Sequence, residues 1–280
     1  MAAAARGWWA DRALSLGAAI AFYTITSLAP MLLAVIAVAG LAYGEEAARG
    51  AIVAQIGGMI GAKEAAAIQE MIASASNFGS GVLGLAIGAA TFVLVATAAF
   101  VELQDDLNII WKAKPSEESG VASFVRTRFL SLSLLAAMGF LLLVSLSVDT
   151  ALTAIGGYIK YALPIVAVAL QILNFLLSLA VSTLFFAVIF KVLPDVPIAW
   201  RDVWTGALVT AVLFSLGKFV IGLYLGKSGV ASSYGAAGSI ITILLWVYYS
   251  SQILLFGAEF TKAYSETHGS RAGEDEPAPA

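Results

Sequence analysis

From Leu14 to Tyr43 the chain carries no charged residue. An α-helix rises about 1.5 Å per residue, so about 20 apolar residues cross the hydrocarbon core of a bilayer. A run that long cannot be hidden inside a small soluble domain. Five further segments have the same character, and together they predict six spans: Ala18–Tyr43, Val82–Val101, Phe129–Ala151, Ala162–Leu193, Val203–Gly226 and Ala236–Lys262. Only 12% of the 280 residues are charged and 60% are hydrophobic. Soluble domains run near a quarter charged, so lipid must be part of this chain's solvent. The expected fold is all-α: a polytopic membrane helix bundle forming one domain over residues 1–266.

The fourth segment is long for one crossing. Pro164 near its start suits the first helical turn, where a missing N–H costs nothing, and the remainder can tilt or extend past the lipid. The Arg6–Arg12 region is weakly cationic, but the apolar run behind it exceeds the about 7–15 residues of a signal-peptide core. It is expected to stay as the first helix.

Loop charges orient the bundle. With both termini inside, the inner side holds Arg6, Arg12, Lys112, Lys114, Arg126, Arg128, Lys191, Arg201, Lys262 and Arg271. The outer side holds Arg49, Lys63, Lys160 and Lys227. Ten cations against four place both termini in the cytoplasm by the positive-inside rule, and an odd number of spans would break that bias.

The long outer segment Gly44–Ser80 repeats Ile52, Ile56, Met59 and Ile60, then Ile68, Met71 and Ile72, at helical spacing. Gly57, Gly58 and Gly61 interrupt it. It predicts two short amphipathic helices, on the membrane surface or capping the bundle. The stretch His268–Ala280 is Gly, Pro, Ala and acid, and is expected to be a disordered tail.

Polar residues at lipid depth are costly, which makes them the functional candidates. Lys218 sits eight residues before Gly226, about 12 Å from that helix end. It either snorkels outward or faces the bundle as a counter-charge for an anionic group. Glu102, Asp105 and Asp106 lie within four residues and share a helical side. They can share a proton or hold a cation, or pair structurally with Arg126 or Arg128. Glu259 follows Gly257 and Ala258, small residues that let a helix approach; it is expected either to face protein rather than lipid or to be an interfacial carboxylate near Lys262.

Tyr23, Thr24, Thr26 and Ser27 precede Pro30, which removes the hydrogen bond to the Thr26 carbonyl and predicts a kink. Their hydroxyls either re-satisfy the backbone there or line a cavity. Gln171 and Asn174 can bond across helices. Tyr234 opens the sixth span. Trp246, too deep for an interfacial belt, packs in the bundle or lines a cavity.

Some chemistry is excluded. The chain has no cysteine, and one histidine, His268, so thiolate and histidine metal sites are not expected. A net charge of −3 gives no basic field for nucleic acid. No phosphate-binding loop, dinucleotide fingerprint, HExxH or GxSxG elbow occurs. Neither a cofactor nor an enzymatic activity is expected.

Ala21-Phe22-Tyr23-Thr24 with Ser27-Leu28-Ala29-Pro30, the stretch Glu102 to Trp111, Tyr234-Gly235, Leu245-Trp246-Val247-Tyr248 and Leu255-Phe256-Gly257-Ala258-Glu259 together resemble the YihY/BrkB family of bacterial inner-membrane proteins. The likeness runs from about Ala18 to Lys262. It implies six spans, cytoplasmic termini and a role in envelope lipid or lipopolysaccharide traffic. A ribonuclease label once attached to that family finds no support in these residues. The expected function is a transporter or flippase for lipid or another amphipathic anionic molecule, with membrane lipids as partners and no nucleic acid. An ion- or proton-coupled solute transporter and a non-transporting envelope scaffold are the alternatives.

Overall fold

The computed structural model describes residues 1–75, 82–113, 128–134, 136–137, 139–141, 164–227 and 237–272. Nearly all of these are helical, and no strand occurs among the described residues. The helices are α1 (Ala2–Ala10), α2 (Ala13–Tyr43), α3 (Glu45–Ile60), α4 (Ala62–Ala75), α5 (Val82–Ile110), α6 (Pro164–Val192), α7 (Trp200–Lys227) and α8 (Gly238–Thr267). A shorter apolar helical stretch covers Arg128–Leu141. Among the described residues, four stretches are long and apolar enough to cross a membrane: Ala13–Ala37, Val168–Val192, Trp200–Tyr224 and Gly238–Thr267.

The sequence expectation started the first helix at Ala18, but α2 begins at Ala13, and α1 precedes it. Arg12, at φ 55°, is the joint between them. An L-residue pays about 1–2 kcal/mol for that left-handed conformation, which also ends α1. Without apolar periodicity to mark it, the Ala-rich α1 escapes a hydropathy reading.

Two apolar clusters hold the molecule. The first lies at what we call the basal end, where α1, the last turns of α5, α6 and α8 and the first turns of α2 and α7 meet. Leu103, Leu107 and Trp111 of α5 pack there with Phe186 and Phe190 of α6, Val203 and Ala207 of α7, and Leu255 of α8. Phe186 meets Phe214 edge-on at 5.6 Å across the α6–α7 seam. The exposed indoles of Trp9, Trp200 and Trp204 lie at this end, where a membrane interface favours amphipathic rings. The Lys191 ammonium stands 5.5 Å above the Trp200 ring.

The second cluster forms the opposite, cap end. Ala48 and Ile52 of α3, with Ile68 and Ile72 of α4, are buried against Leu28, Leu32, Val35 and Ile36 of α2 and Ile243 of α8. The amphipathic pair expected from the spacing of these isoleucines therefore caps the bundle instead of turning its apolar face to lipid. Gly57 and Gly58 do not interrupt α3; the chain breaks only at Gly61, whose φ of 111° suits a residue without Cβ.

The α7–α8 seam is set by a reciprocal pair. Thr210 donates to Gly206 O at 2.7 Å and Thr261 donates to Gly257 O at 2.7 Å. Each threonine hydroxyl sits where the other helix's glycine lacks a side chain: a Cβ on Gly257 would collide with Thr210 Oγ1, and one on Gly206 with Thr261 Oγ1. Both helices thus present glycine and threonine four residues apart, and the backbones approach closely. On the α2–α8 seam, Ser251 Oγ donates to Gly17 O at 3.1 Å and Gln252 Nε2 to Ala13 O at 3.2 Å.

Candidate functional site

Among the described residues, three carboxyl side chains are buried at the basal end. Asp106 is 2% exposed, Asp202 0% and Glu259 2%, and each keeps one oxygen without a hydrogen-bond partner: Asp106 Oδ2, Asp202 Oδ1 and Glu259 Oε1. Unsatisfied buried carboxyls are costly, and such groups concentrate at functional sites. No group of acidic and imidazole side chains placed to hold a metal ion occurs among the described residues.

Glu259 lies where α1 crosses α8. Gly7 is pressed against it, so that a Cβ on Gly7 would overlap Glu259 Oε2. Asp11 follows Gly7 by four residues, and Lys262 and Glu266 follow Glu259 by three and seven residues on α8. The expectation that the small residues before Glu259 would turn it toward protein agrees with this burial.

On α5 the three acids diverge. Asp105 is exposed, Glu102 half-buried and Asp106 inward. Residues 105 and 106 differ by about 100° around a helix, so they straddle the edge between water and core. These turns lie past the apolar stretch that ends at Val101. Burial, then the neighbouring Glu102 and Asp105, pushes Asp106 up to about 7. Burial, then Asp105, also raises Glu102; burial, then Asp195, raises Asp105. Arg128, expected as a partner of these acids, donates to Thr97 Oγ1 at 2.8 Å and Leu94 O at 3.3 Å, nearer the middle of α5. Arg126 lies outside the described residues.

Asp195, in the turn between α6 and α7, clamps α5. Its carboxylate accepts from Gln104 Nε2 at 3.1 Å and Asn108 Nδ2 at 2.8 Å, while its N–H donates to Asn108 Oδ1 at 2.8 Å. Beside it opens a pocket of about 430 Å³ lined by Gln104, Leu130, Ser131, Leu134 and the 192–197 turn. Residues just past α8 close the other side. Asp202 accepts from Ser270 N at 3.1 Å and Ser270 Oγ at 2.6 Å. Arg271 donates to Pro197 O at 3.0 Å and lies 5.3 Å over the Trp111 ring. The stretch expected to be disordered thus begins with docked residues; 273–280 lie outside the described residues. Asp202 and Ser270 were not legible as partners, because 68 residues separate them.

The remaining candidates lie higher in the bundle. Lys218 is half-buried, with its ammonium 5.4 Å from the Phe214 ring. Gly217 beside it packs under α8, where a Cβ would lie 3.2 Å from Tyr249 Oη. Leu216, at 63%, and Phe219, at 70%, are exposed on the same helix. Glu259 is ten residues from Tyr249 along α8, about 15 Å, so Lys218 and Glu259 occupy different layers.

On α2, Tyr23 and Thr26 are exposed and Ser27 is buried. Ser27 Oγ donates to Tyr23 O at 2.6 Å and Thr26 Oγ1 to Phe22 O at 3.1 Å. The hydroxyls thus bond one turn earlier than the Thr26 carbonyl that Pro30 leaves, which corrects the idea that they compensate the proline. The helix continues through Pro30. Trp246 is buried in the bundle. Asn174 is half-exposed on a stretch whose Ile172, Phe175 and Leu176 all face outward. Tyr234 lies outside the described residues.

A bundle of long apolar helices with polar groups gathered at one end defines an integral membrane protein. The family model described as virulence factor BrkB matches residues 4–280, and the chain belongs to that family. It is similar to a UPF0761 membrane protein of Rhodospirillum centenum, 25% identical over 92% of this chain and 56% of the relative. A UPF0761 membrane protein of Tolumonas auensis is 29% identical over 64% of this chain and 57% of its own length. The UPF0761 membrane protein YihY of Shigella boydii is 27% identical over 65% and 60%. The chain therefore spans little more than half the length of these relatives. No solved structure matches it.

Proposed function

We propose that this chain is a six-span transporter of the bacterial inner membrane, with both termini cytoplasmic, that moves lipid or another amphipathic anionic molecule. In this reading it is not an enzyme, carries no cofactor, binds no nucleic acid, and has membrane lipids as its partners. One observation carries the reading. The Lys218 ammonium sits over Phe214, one turn toward the N-terminus of α7. That direction leads away from the nearer helix end, Lys227. A snorkelling lysine would reach the other way, toward the interface. The cation is instead directed back along α7 toward its apolar middle.

An ionisable residue at membrane depth is a functional candidate. A headgroup phosphate or carboxylate passing along the α6–α7 seam meets a fixed counter-charge there, while its acyl chains stay in lipid beside the exposed residues of α6. The test is lipid translocation by the purified chain in vesicles with anionic lipid labelled in one leaflet. Translocation that Lys218→Ala abolishes supports the reading; lipid asymmetry untouched by either protein removes it.

A further inference from the structure

We propose that Lys191, Trp200, Arg201 and Trp204 form a fixed site for the headgroup of one anionic phospholipid at the basal membrane interface. The α6–α7 turn joins the end of one apolar stretch, Val168–Val192, to the start of the next, Trp200–Tyr224. That places the four residues at the level of lipid headgroups. Lys191 Nζ donates to Ile198 O and stands 5.5 Å over the Trp200 ring. The Trp200 and Trp204 rings follow one another on α7 with centroids 6.3 Å apart. Arg201, between them in sequence, is exposed. An ammonium has three donors, and here one is spent on Ile198. Guanidinium and indole groups donate and do not accept. Every polar side-chain group of the patch is thus a donor, and two are cationic, which suits a phosphate.

The neighbouring acids are engaged elsewhere. Asp202, next to Arg201, is buried and accepts from Ser270. Asp195 accepts from Gln104 and Asn108 of α5. Among the described residues no carboxylate pairs with Lys191 or Arg201. From the indoles an exposed apolar row, Leu208, Val212 and Leu216, continues along α7 at every fourth residue. From Trp204 to Leu216 it rises about 18 Å, close to one leaflet of an about 30 Å hydrocarbon core. Charge and acyl surface are continuous, so the occupant is a diacyl lipid and not a soluble phosphate. A zwitterionic headgroup would bring its own cation against Lys191 and Arg201. Such a site holds lipid whether or not the chain translocates it, and it does not rest on Lys218.

The test titrates the delipidated full chain, in neutral detergent, with phosphatidylglycerol brominated on its acyl chains, which quenches nearby indoles. Brominated phosphatidylcholine is the zwitterionic comparison. The phosphatidylglycerol midpoint is expected about tenfold lower than the phosphatidylcholine one, from two basic residues at an anionic headgroup. Lys191→Gln and Arg201→Gln should each raise the phosphatidylglycerol midpoint by about fivefold, the effect of one basic residue, and leave phosphatidylcholine unmoved. Lys191→Gln also loses the bond to Ile198 O; Arg201→Gln alters an exposed side chain alone and decides the matter if Lys191→Gln does not fold. Arg6→Gln, an exposed cation of α1, should leave the midpoint unmoved. Replacing Trp200 and Trp204 together by Phe should abolish the difference in quenching between the two lipids, and glycerol phosphate should not displace the bound lipid. Equal midpoints for the two lipids in the parent chain overturn the proposal. So does an unmoved midpoint in Arg201→Gln, an equal shift in Arg6→Gln, a quenching difference that survives loss of both indoles, or displacement by glycerol phosphate.

Discussion

Thr210 and Gly257 interlock across the α7–α8 seam: the threonine hydroxyl fills the space a side chain on Gly257 would need. The same arrangement recurs one contact further along between Thr261 and Gly206. Overpacking of this kind costs about 1–3 kcal/mol. Gly257→Ala and Gly206→Ala are each expected to lower the melting temperature in detergent. Gly222, on the same α7 but with open space around its Cβ position, is the control. Gly222→Ala should leave stability unchanged or raise it by up to about 1 kcal/mol, the helix-propensity difference. Equal losses at all three positions would mean that the seam is not set by this pair.

Asp202 and Ser270 tie the residues after α8 to the start of α7. Ser270→Ala removes one hydroxyl donor and is expected to cost about 0.5–1.5 kcal/mol. Asp202→Ala removes the acceptor for both bonds. Limited proteolysis reads the effect locally: cleavage after Thr267 should quicken in Ser270→Ala and more so in Asp202→Ala, with the helices intact.

Asp106 makes stability depend on pH with a definite sign. Its folded pKa, about 7, lies above the ordinary value of 3.8. Between those values the folded chain holds a proton that the unfolded chain has lost. The contribution is therefore fully present below about pH 3.8 and is lost as pH rises through about 7. Asp106→Asn keeps the shape without the charge. Its stability relative to the parent should grow from about pH 4 to about pH 8, as followed by thermal melts; a constant difference would refute the assignment.

Lys112 ends α5 in the left-handed region at φ 50°. Its N–H bonds Ile109 O at 3.1 Å, and Ala113 N–H bonds Asn108 O at 2.9 Å, the paired bonds of a Schellman ending that favours glycine. Lys112→Gly is expected to stabilise by about 1 kcal/mol, the relief of left-handed strain, measured as a rise in melting temperature. A fall would place Lys112 in a contact of its own.

Hydropathy made four of the six expected spans legible as long apolar helices among the described residues, because lipid demands long apolar runs whatever their neighbours. The burial of Glu259 was legible too, since Gly257 and Ala258 announce a close helix. Spacing showed that Ile52 and Ile68 share apolar faces, but not that α2 would receive them. What escaped depends on partners far apart in the chain: Thr210 with Gly257, Asp202 with Ser270, Asp195 with Asn108. On α5, three acids within one turn looked like one face, and the boundary that separates exposed Asp105 from buried Asp106 depends on what packs against that helix. The direction of Lys218, toward the ring of Phe214, is likewise a matter of rotamer.

The most direct measurement is the rate of anionic-lipid translocation in vesicles holding the parent chain, Lys218→Arg or Lys218→Gln, each checked for an unchanged melting temperature. A fixed counter-charge at depth predicts translocation by the parent, retained in Lys218→Arg and lost in Lys218→Gln, with zwitterionic lipid less affected. Translocation of anionic lipid at the parent rate by Lys218→Gln would contradict it.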